Sequence, residues 1–151
     1  MGTLKDRLIH DLRAAMKARD EVTTSTLRMA LTAVRTAETA SARARDLTDD
    51  EVLTVLTRES RKRREASAAF ADAGRADSAA KETAEGAVLE RYLPRQLTDA
   101  ELSDLVAGAL AAGGFAGPGQ LGPAIKAAQA VAAGRAAGGR VAAEVRRQLS
   151  P

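Results

Sequence analysis

The length, composition and charge of the chain exclude several classes of protein. Its 151 residues suffice for one medium domain or two small ones. The lack of cysteine excludes disulfides and thiolate metal sites, and the single histidine excludes a two-histidine zinc site, so we expect no metal and no cofactor. The net charge of +3 is too small to predict a nucleic-acid binder by itself. The sequence shows neither the roughly 18-residue apolar run of a membrane span nor a signal-peptide pattern. We therefore expect a cytoplasmic protein without membrane contact.

The residue pattern predicts an all-α protein. Alanine dominates the apolar residues, aromatic residues make up 2% of the chain, and runs of β-branched residues are missing, all of which favour helices. From the helix start and stop signals we expect a four-helix bundle over residues 1–95 and a smaller three-helix bundle over 96–151. The predicted helices cover residues 3–17, 22–42, 48–73, 77–93, 98–113 and 123–133, and a last one follows 138–139.

Two of these helices begin with the same capping signal. Thr48 with Glu51, and Thr98 with Glu101, form capping boxes, in which a hydroxyl and a carboxylate satisfy orphan backbone donors at a helix start. We interpret the two segments as independent caps rather than as an internal repeat, because we find no match in the residues around them.

The third helix carries the densest basic cluster of the chain, Arg58, Arg61, Lys62 and Arg64. Glu65 is within reach of Arg61 and Lys62, which is typical of a solvated helix face with paired charges. Arg58 and Arg64 have no carboxylate four residues away on either side, and unpaired arginine is what contacts to RNA phosphates require. Both interpretations remain open. Arg28 and Arg35, which share a face of the second helix, could extend this basic surface.

A second group of charges is predicted to point inward. At 100° per residue, Glu38, Glu59, Arg63 and Glu85 fall on the apolar stripes of three different helices. Burial of charges costs several kcal/mol for each ion unless they are paired. The favoured interpretation is a structural ion network in which Arg63 donates to Glu38 or Glu85. A polar pocket for a small ligand is the alternative, since a di-metal carboxylate site would need Glu-x-x-His motifs that are missing.

Other residues receive structural interpretations. His10 is predicted to be an ordinary helix residue, the Tyr92 ring is expected to pack inward, and Pro94 is expected to end the fourth helix. The apolar stripe of the first helix includes Met16, and that of the third includes Ser67 and Phe70.

The C-terminal bundle is predicted to have a thin core. Because its side chains are small and bury little area, we expect residues 98–151 to be the less stable and more mobile half. Its predicted apolar seam consists of Leu102, Val106, Ile125, Val131, Val141, Val145 and Leu149.

Several segments, in order, resemble the YqeY family, whose fold recurs as the tail of GatB, the tRNA-binding subunit of the tRNA-dependent amidotransferase. The segments are STLRM at 25–29, residues 47–64, Phe70 with AGR at 73–75, and ERYLP at 90–94 followed by QL at 96–97. The C-terminal third departs from the family pattern, because Ala137 stands where GRADG has an acidic residue. The resemblance implies a four-helix bundle followed by a three-helix bundle.

The resemblance also implies a function connected with tRNA. Proteins of this kind are labelled carbon–nitrogen ligases with glutamine as amido-N-donor, but this chain has no GxxxxGK[ST] motif and no cysteine nucleophile. We therefore expect no catalytic residues, and a tRNA-binding or amidotransferase-associated accessory module. The alternative is a helical module that docks on an aminoacyl-tRNA synthetase or amidotransferase without RNA contact.

Overall fold

The chain folds into α-helices joined by loops, as a computed structural model describes for residues 2–151. No strand occurs within those residues, which confirms the predicted all-α fold. The seven α-helices of the described residues are α1 (Leu4–Lys17), α2 (Glu21–Glu38), α3 (Asp49–Asp72), α4 (Ala76–Glu90), α5 (Asp99–Gly113), α6 (Leu121–Ala132) and α7 (Gly138–Leu149). A short 3₁₀ turn, Pro118–Gln120, precedes α6.

Two predicted helix ends were wrong by several residues. α2 ends at Glu38 rather than near residue 42, and the Thr39 amide and hydroxyl both donate to the Arg35 carbonyl there. α4 ends at Glu90, well before Pro94. Residues that approach a proline are disfavoured in the helical conformation, and the Tyr92 and Leu93 amides instead form tighter bonds to the carbonyls three residues back.

The helices form two compact units, one ending at Leu93 and the other beginning at Pro94. In the first unit, α3 and α4 pack along each other more extensively than any other pair. Its buried apolar residues are Leu8, Leu27, Ala30, Leu31, Val34, Val52, Leu56, Val88 and Leu89. In the second unit, α5, α6 and α7 enclose a core of leucine, valine and alanine. Each unit therefore has an apolar interior of its own.

The two predicted capping boxes are confirmed, and each is extended by an arginine. The carboxylates of Glu51 and Glu101 accept from the backbone amides of Thr48 and Thr98 while the threonine hydroxyls accept in return. The Arg45 guanidinium donates two hydrogen bonds to the Glu51 carboxylate in a bidentate arrangement, and the shorter is 2.6 Å long. Arg95 binds Glu101 in the same way. These bonds, with those from the threonine amides, lower the pKa of each glutamate from 4.5 to about 2.

The expectation that no residues around the two caps match was wrong. RDLTDDEV at 45–52 and RQLTDAEL at 95–102 match at the arginine, leucine, threonine and glutamate positions. Leu47 is partly buried and Leu97 is buried, each immediately before its threonine and against the core of its own unit. The matching residues thus build the same helix start twice.

Four predicted core residues are less buried than their apolar stripes suggest. Met16 is about half exposed, and Val131 is 51% exposed although Ala124, Ala128 and Ala132 on the same helix are buried. Ser67 and Phe70 are only partly buried. Phe70 lies in the last turn of α3, where the Arg75 guanidinium lies 5.0 Å from the ring centroid.

Candidate nucleic-acid interface and buried arginine

Arg63 lies on the inner side of α3 and is 4% exposed. Its Nη1 donates to Glu59 Oε2 at 3.0 Å and to the Glu59 carbonyl at 3.1 Å. Its Nη2 lies 3.5 Å from the Met29 sulfur on α2. Its Nε makes no hydrogen bond, although Glu85 Oε2 on α4 is 3.6 Å away. One buried cation thus lies between two carboxylates and links three helices.

The position of Glu38 corrects the predicted network. Glu38 pairs with Lys5 on α1, with Lys5 Nζ 2.6 Å from Oε1, and not with Arg63. Arg63 contacts α2 at Met29, and Glu38 lies nine residues further along that helix, which is about 13.5 Å at 1.5 Å per residue. Glu38 shares the angular position of the apolar stripe but lies too far along the helix axis to reach the arginine.

The basic cluster of α3 is exposed and only partly paired. Arg58 and Arg61 make no ion pair within residues 2–151. Lys62 Nζ lies 3.3 Å from Glu59 Oε1, so Glu59 serves both Lys62 and buried Arg63. Arg64 has a loose contact of 3.9 Å with Glu90 on α4. The expected partner Glu65 makes no ion pair in the described part of the chain, so the prediction that it holds Arg61 and Lys62 was wrong.

Arg28 and Arg35 lie on the exposed side of α2, and neither forms an ion pair among the described residues. Arg28 lines an open surface concavity of about 360 Å³ together with Met29, Thr32, Ala33 and Glu59. Arg35 does not line it. Glu59 and Met29 both line this concavity and both contact Arg63, so they link the two.

Tyr92 anchors the end of the first unit through contacts that the sequence did not indicate. Its hydroxyl donates to Asp11 Oδ2 on α1 at 2.5 Å, and the Arg7 guanidinium lies 4.9 Å from the ring centroid. Burial, followed by the hydrogen bond to the Asp11 carboxylate, raises the pKa of Tyr92 well above its usual value. The tyrosine therefore fastens α1 to the segment after α4, while neighbouring His10 is exposed.

A second polar group that sequence reasoning missed lies in the C-terminal unit. Glu144 accepts from Arg147 and Gln148, and both of these side chains also donate to the Ser103 hydroxyl on α5. The bonds from Arg147 and then Gln148 lower the pKa of Glu144 to about 2. The spacing of three and four residues on α7 is the sequence signal that could have revealed it.

Two negative findings apply to residues 2–151. No helix there is both long and apolar enough to cross a bilayer. The same residues contain no group of three or more histidine, cysteine, aspartate or glutamate side chains placed to hold a metal ion.

Comparison with known proteins assigns the fold to a family. The family model described as Yqey-like protein matches residues 5–149, nearly the whole chain. The chain belongs to the YqeY family. The match extends through the C-terminal third, including the segment at 127–139 where the YqeY sequence pattern is altered. None of the curated proteins matches the sequence.

Proposed function

We propose that this YqeY-family protein is a non-catalytic accessory that holds structured RNA, with tRNA as the leading ligand, by its phosphate backbone. The observation that carries the proposal is the pair Arg58 and Arg61, two exposed arginines on α3 without an ion pair among the described residues. Lys62 and Arg64 lie beside this pair on α3, and each contacts a carboxylate, that of Glu59 and that of Glu90 respectively.

Phosphate contact suits these side chains better than base recognition. A guanidinium presents a planar set of donors that matches two phosphate oxygens. Stacking on unpaired bases needs exposed aromatic rings, whereas Tyr92 is bonded to Asp11 and Phe70 lies under Arg75. The surface is therefore suited to the backbone of folded RNA, where each contact adds a salt-sensitive increment of affinity.

The resemblance to the tail of GatB supports tRNA as the leading RNA, as an analogy of fold. In the amidotransferase, the tail is a module appended to a larger enzyme. A protein made of such a module is better suited to positioning an RNA than to amide transfer.

Retention of tRNA at increasing salt concentrations tests the proposal. We expect Arg58→Glu/Arg61→Glu to weaken binding and to reduce the slope of log affinity against log salt by about 0.7–0.9 for each lost contact. Arg13→Glu/Arg146→Glu is the matched control, because it changes the net charge equally at exposed positions on α1 and α7. Equal losses in both double variants would show that only net charge matters and would overturn the assignment of the site.

The alternative function is docking on an aminoacyl-tRNA synthetase or amidotransferase. It would be favoured if the protein retained no tRNA at low salt and yet formed a defined complex with one of these purified enzymes. In that case Arg58→Glu/Arg61→Glu and the unmodified protein would behave alike in the tRNA retention experiment, because neither would bind tRNA.

A further inference from the structure

The exposed side of α2 has an unusual composition, and we call it the α2 face. Val22 is 41% exposed and Met29 is 48% exposed. Between Glu21 and Glu38 the helix contains no carboxylate at all. The α2 face consists of Val22, Ser25, Arg28, Met29, Thr32, Ala33, Arg35 and Thr36.

The hydroxyl groups of the α2 face are already bonded within the helix. Ser25 Oγ donates to the Val22 carbonyl, Thr32 Oγ1 to that of Arg28, and Thr36 Oγ1 to that of Thr32. Their donors are satisfied, so these side chains offer little hydrogen bonding to a partner and mainly contribute small apolar surface. Of the three, Thr32 borders the concavity of about 360 Å³ together with Met29 and Ala33.

The charge on the α2 face has one sign. Arg28 and Arg35 are both exposed and lie seven residues apart, which is about two helical turns. Neither forms an ion pair within residues 2–151. Glu59 at the edge of the concavity is paired with Arg63 and Lys62, which largely neutralises it. Seven residues at 100° each bring Arg28 and Arg35 within about 20° of each other, on one edge of the face, so a complementary surface must be apolar along its centre and acidic along one side.

We propose that the α2 face is a docking site for an acidic amphipathic helix of a partner protein. Residues 22–36 extend about 21 Å, which matches a partner helix of about four turns. An apolar side chain of the partner enters the concavity against Met29 and Ala33, and carboxylates along one flank of the partner helix pair with Arg28 and Arg35. An RNA backbone would leave Val22 and Met29 uncovered, so this inference rests on an observation separate from the basic cluster of α3.

Two labelled synthetic peptides test the docking site on the intact protein. Both are 14-residue helices with the same leucine stripe, one flanked by glutamate and one by lysine, and binding is followed by fluorescence anisotropy at physiological salt. We expect the acidic peptide to bind more tightly. Met29→Glu should lower the affinity for the acidic peptide about tenfold, as the loss of a central contact does. Val131→Glu is the control, since Val131 is equally exposed on α6.

A second variant guards against indirect effects, because Met29 also contacts buried Arg63. Arg28→Glu/Arg35→Glu touches neither the core nor the cluster of α3, and it should reverse the preference between the two peptides. Arg58→Glu/Arg61→Glu should leave peptide affinity unchanged even if it abolishes tRNA retention. Three results would each overturn the proposal. The first is equal binding of the two peptides, and the second is an equal effect of Met29→Glu and Val131→Glu on peptide affinity. The third is a Met29→Glu protein that loses tRNA binding but keeps its peptide binding.

Discussion

The interiors of the two units differ in what they bury. In the first unit, Arg63 and Glu85 lie within the core beside leucine and valine. All buried polar or charged residues of the described chain belong to this unit: Thr23, Thr26, Ser60, Arg63 and Glu85. The second unit buries apolar residues, and the fully buried residues of α6 are all alanine. A buried ion group is costly to break but sets which residues face each other, whereas alanine lets helices approach closely while burying little area.

Arg63→Leu should be the largest disturbance of the first unit. It leaves Glu85 buried without its cation and removes a partner from Glu59, so we expect a loss of about 3–5 kcal/mol in the free energy of unfolding. Urea denaturation measures it. Exposed Arg61→Leu on the same helix should change that free energy by less than about 0.5 kcal/mol.

A double variant that combines Arg63→Leu with Glu85→Leu tests whether the stranded carboxylate is the cause of this loss. If the stranded carboxylate causes the loss, Arg63→Leu/Glu85→Leu should be more stable than Arg63→Leu alone. A loss below about 1 kcal/mol for the single variant would contradict the view that the ion group holds the core together.

Ala128→Leu should be the corresponding disturbance of the second unit. Ala128 is fully buried on α6, so added methylene groups force its neighbours apart, at about 1–3 kcal/mol. Ala130→Leu, at an exposed position on the same helix, is the control and should be nearly neutral. If the two variants are equally stable, the core of this unit is looser than the buried alanines suggest.

The thin core of the second unit also leads us to expect lower local stability there. Amide hydrogen exchange should be about tenfold or more faster in α5–α7 than around Leu56 in α3, which corresponds to about 1.4 kcal/mol. Native-state exchange measured by NMR gives both values in one experiment. Slower exchange in α5–α7 would reverse the predicted order of stability.

The smallest expected effect concerns the two arginine-extended caps. The folded pKa of Glu51 and Glu101 is lowered from 4.5 to about 2, so each contributes stability that is fully present above pH 4.5 and is lost as the pH falls towards about 2. Glu51→Gln or Glu101→Gln should therefore destabilise the protein at pH 6 but not near pH 2. Glu65→Gln, at an exposed position without an ion pair in the described residues, should match the unmodified protein at both pH values.

The helix starts could be predicted almost completely from the sequence. Thr48 and Thr98 act on amides three residues away, so the capping box needs no distant partner. The repeat of Arg45 and Arg95 was also visible, because each lies six residues before its glutamate, and it was overlooked. The inward position of Arg63 followed from the helical period alone.

Burial at the ends and edges of the units could not be predicted in the same way. Met16 and Val131 fit their apolar stripes, yet they are exposed because no neighbouring helix covers them. The helical period gives the direction of a side chain but not what lies in that direction.

The sequence by itself determined the number of helices in the described residues, the capping boxes of α3 and α5 and the all-α class, because these depend on contacts within about four residues. The tertiary structure decided the partners of the charges. It brought Glu85 to Arg63, paired Glu38 with Lys5, and placed Glu90 near Arg64. Those pairings depend on the axial offset between helices that are distant in sequence, and side-chain packing across the core fixes that offset.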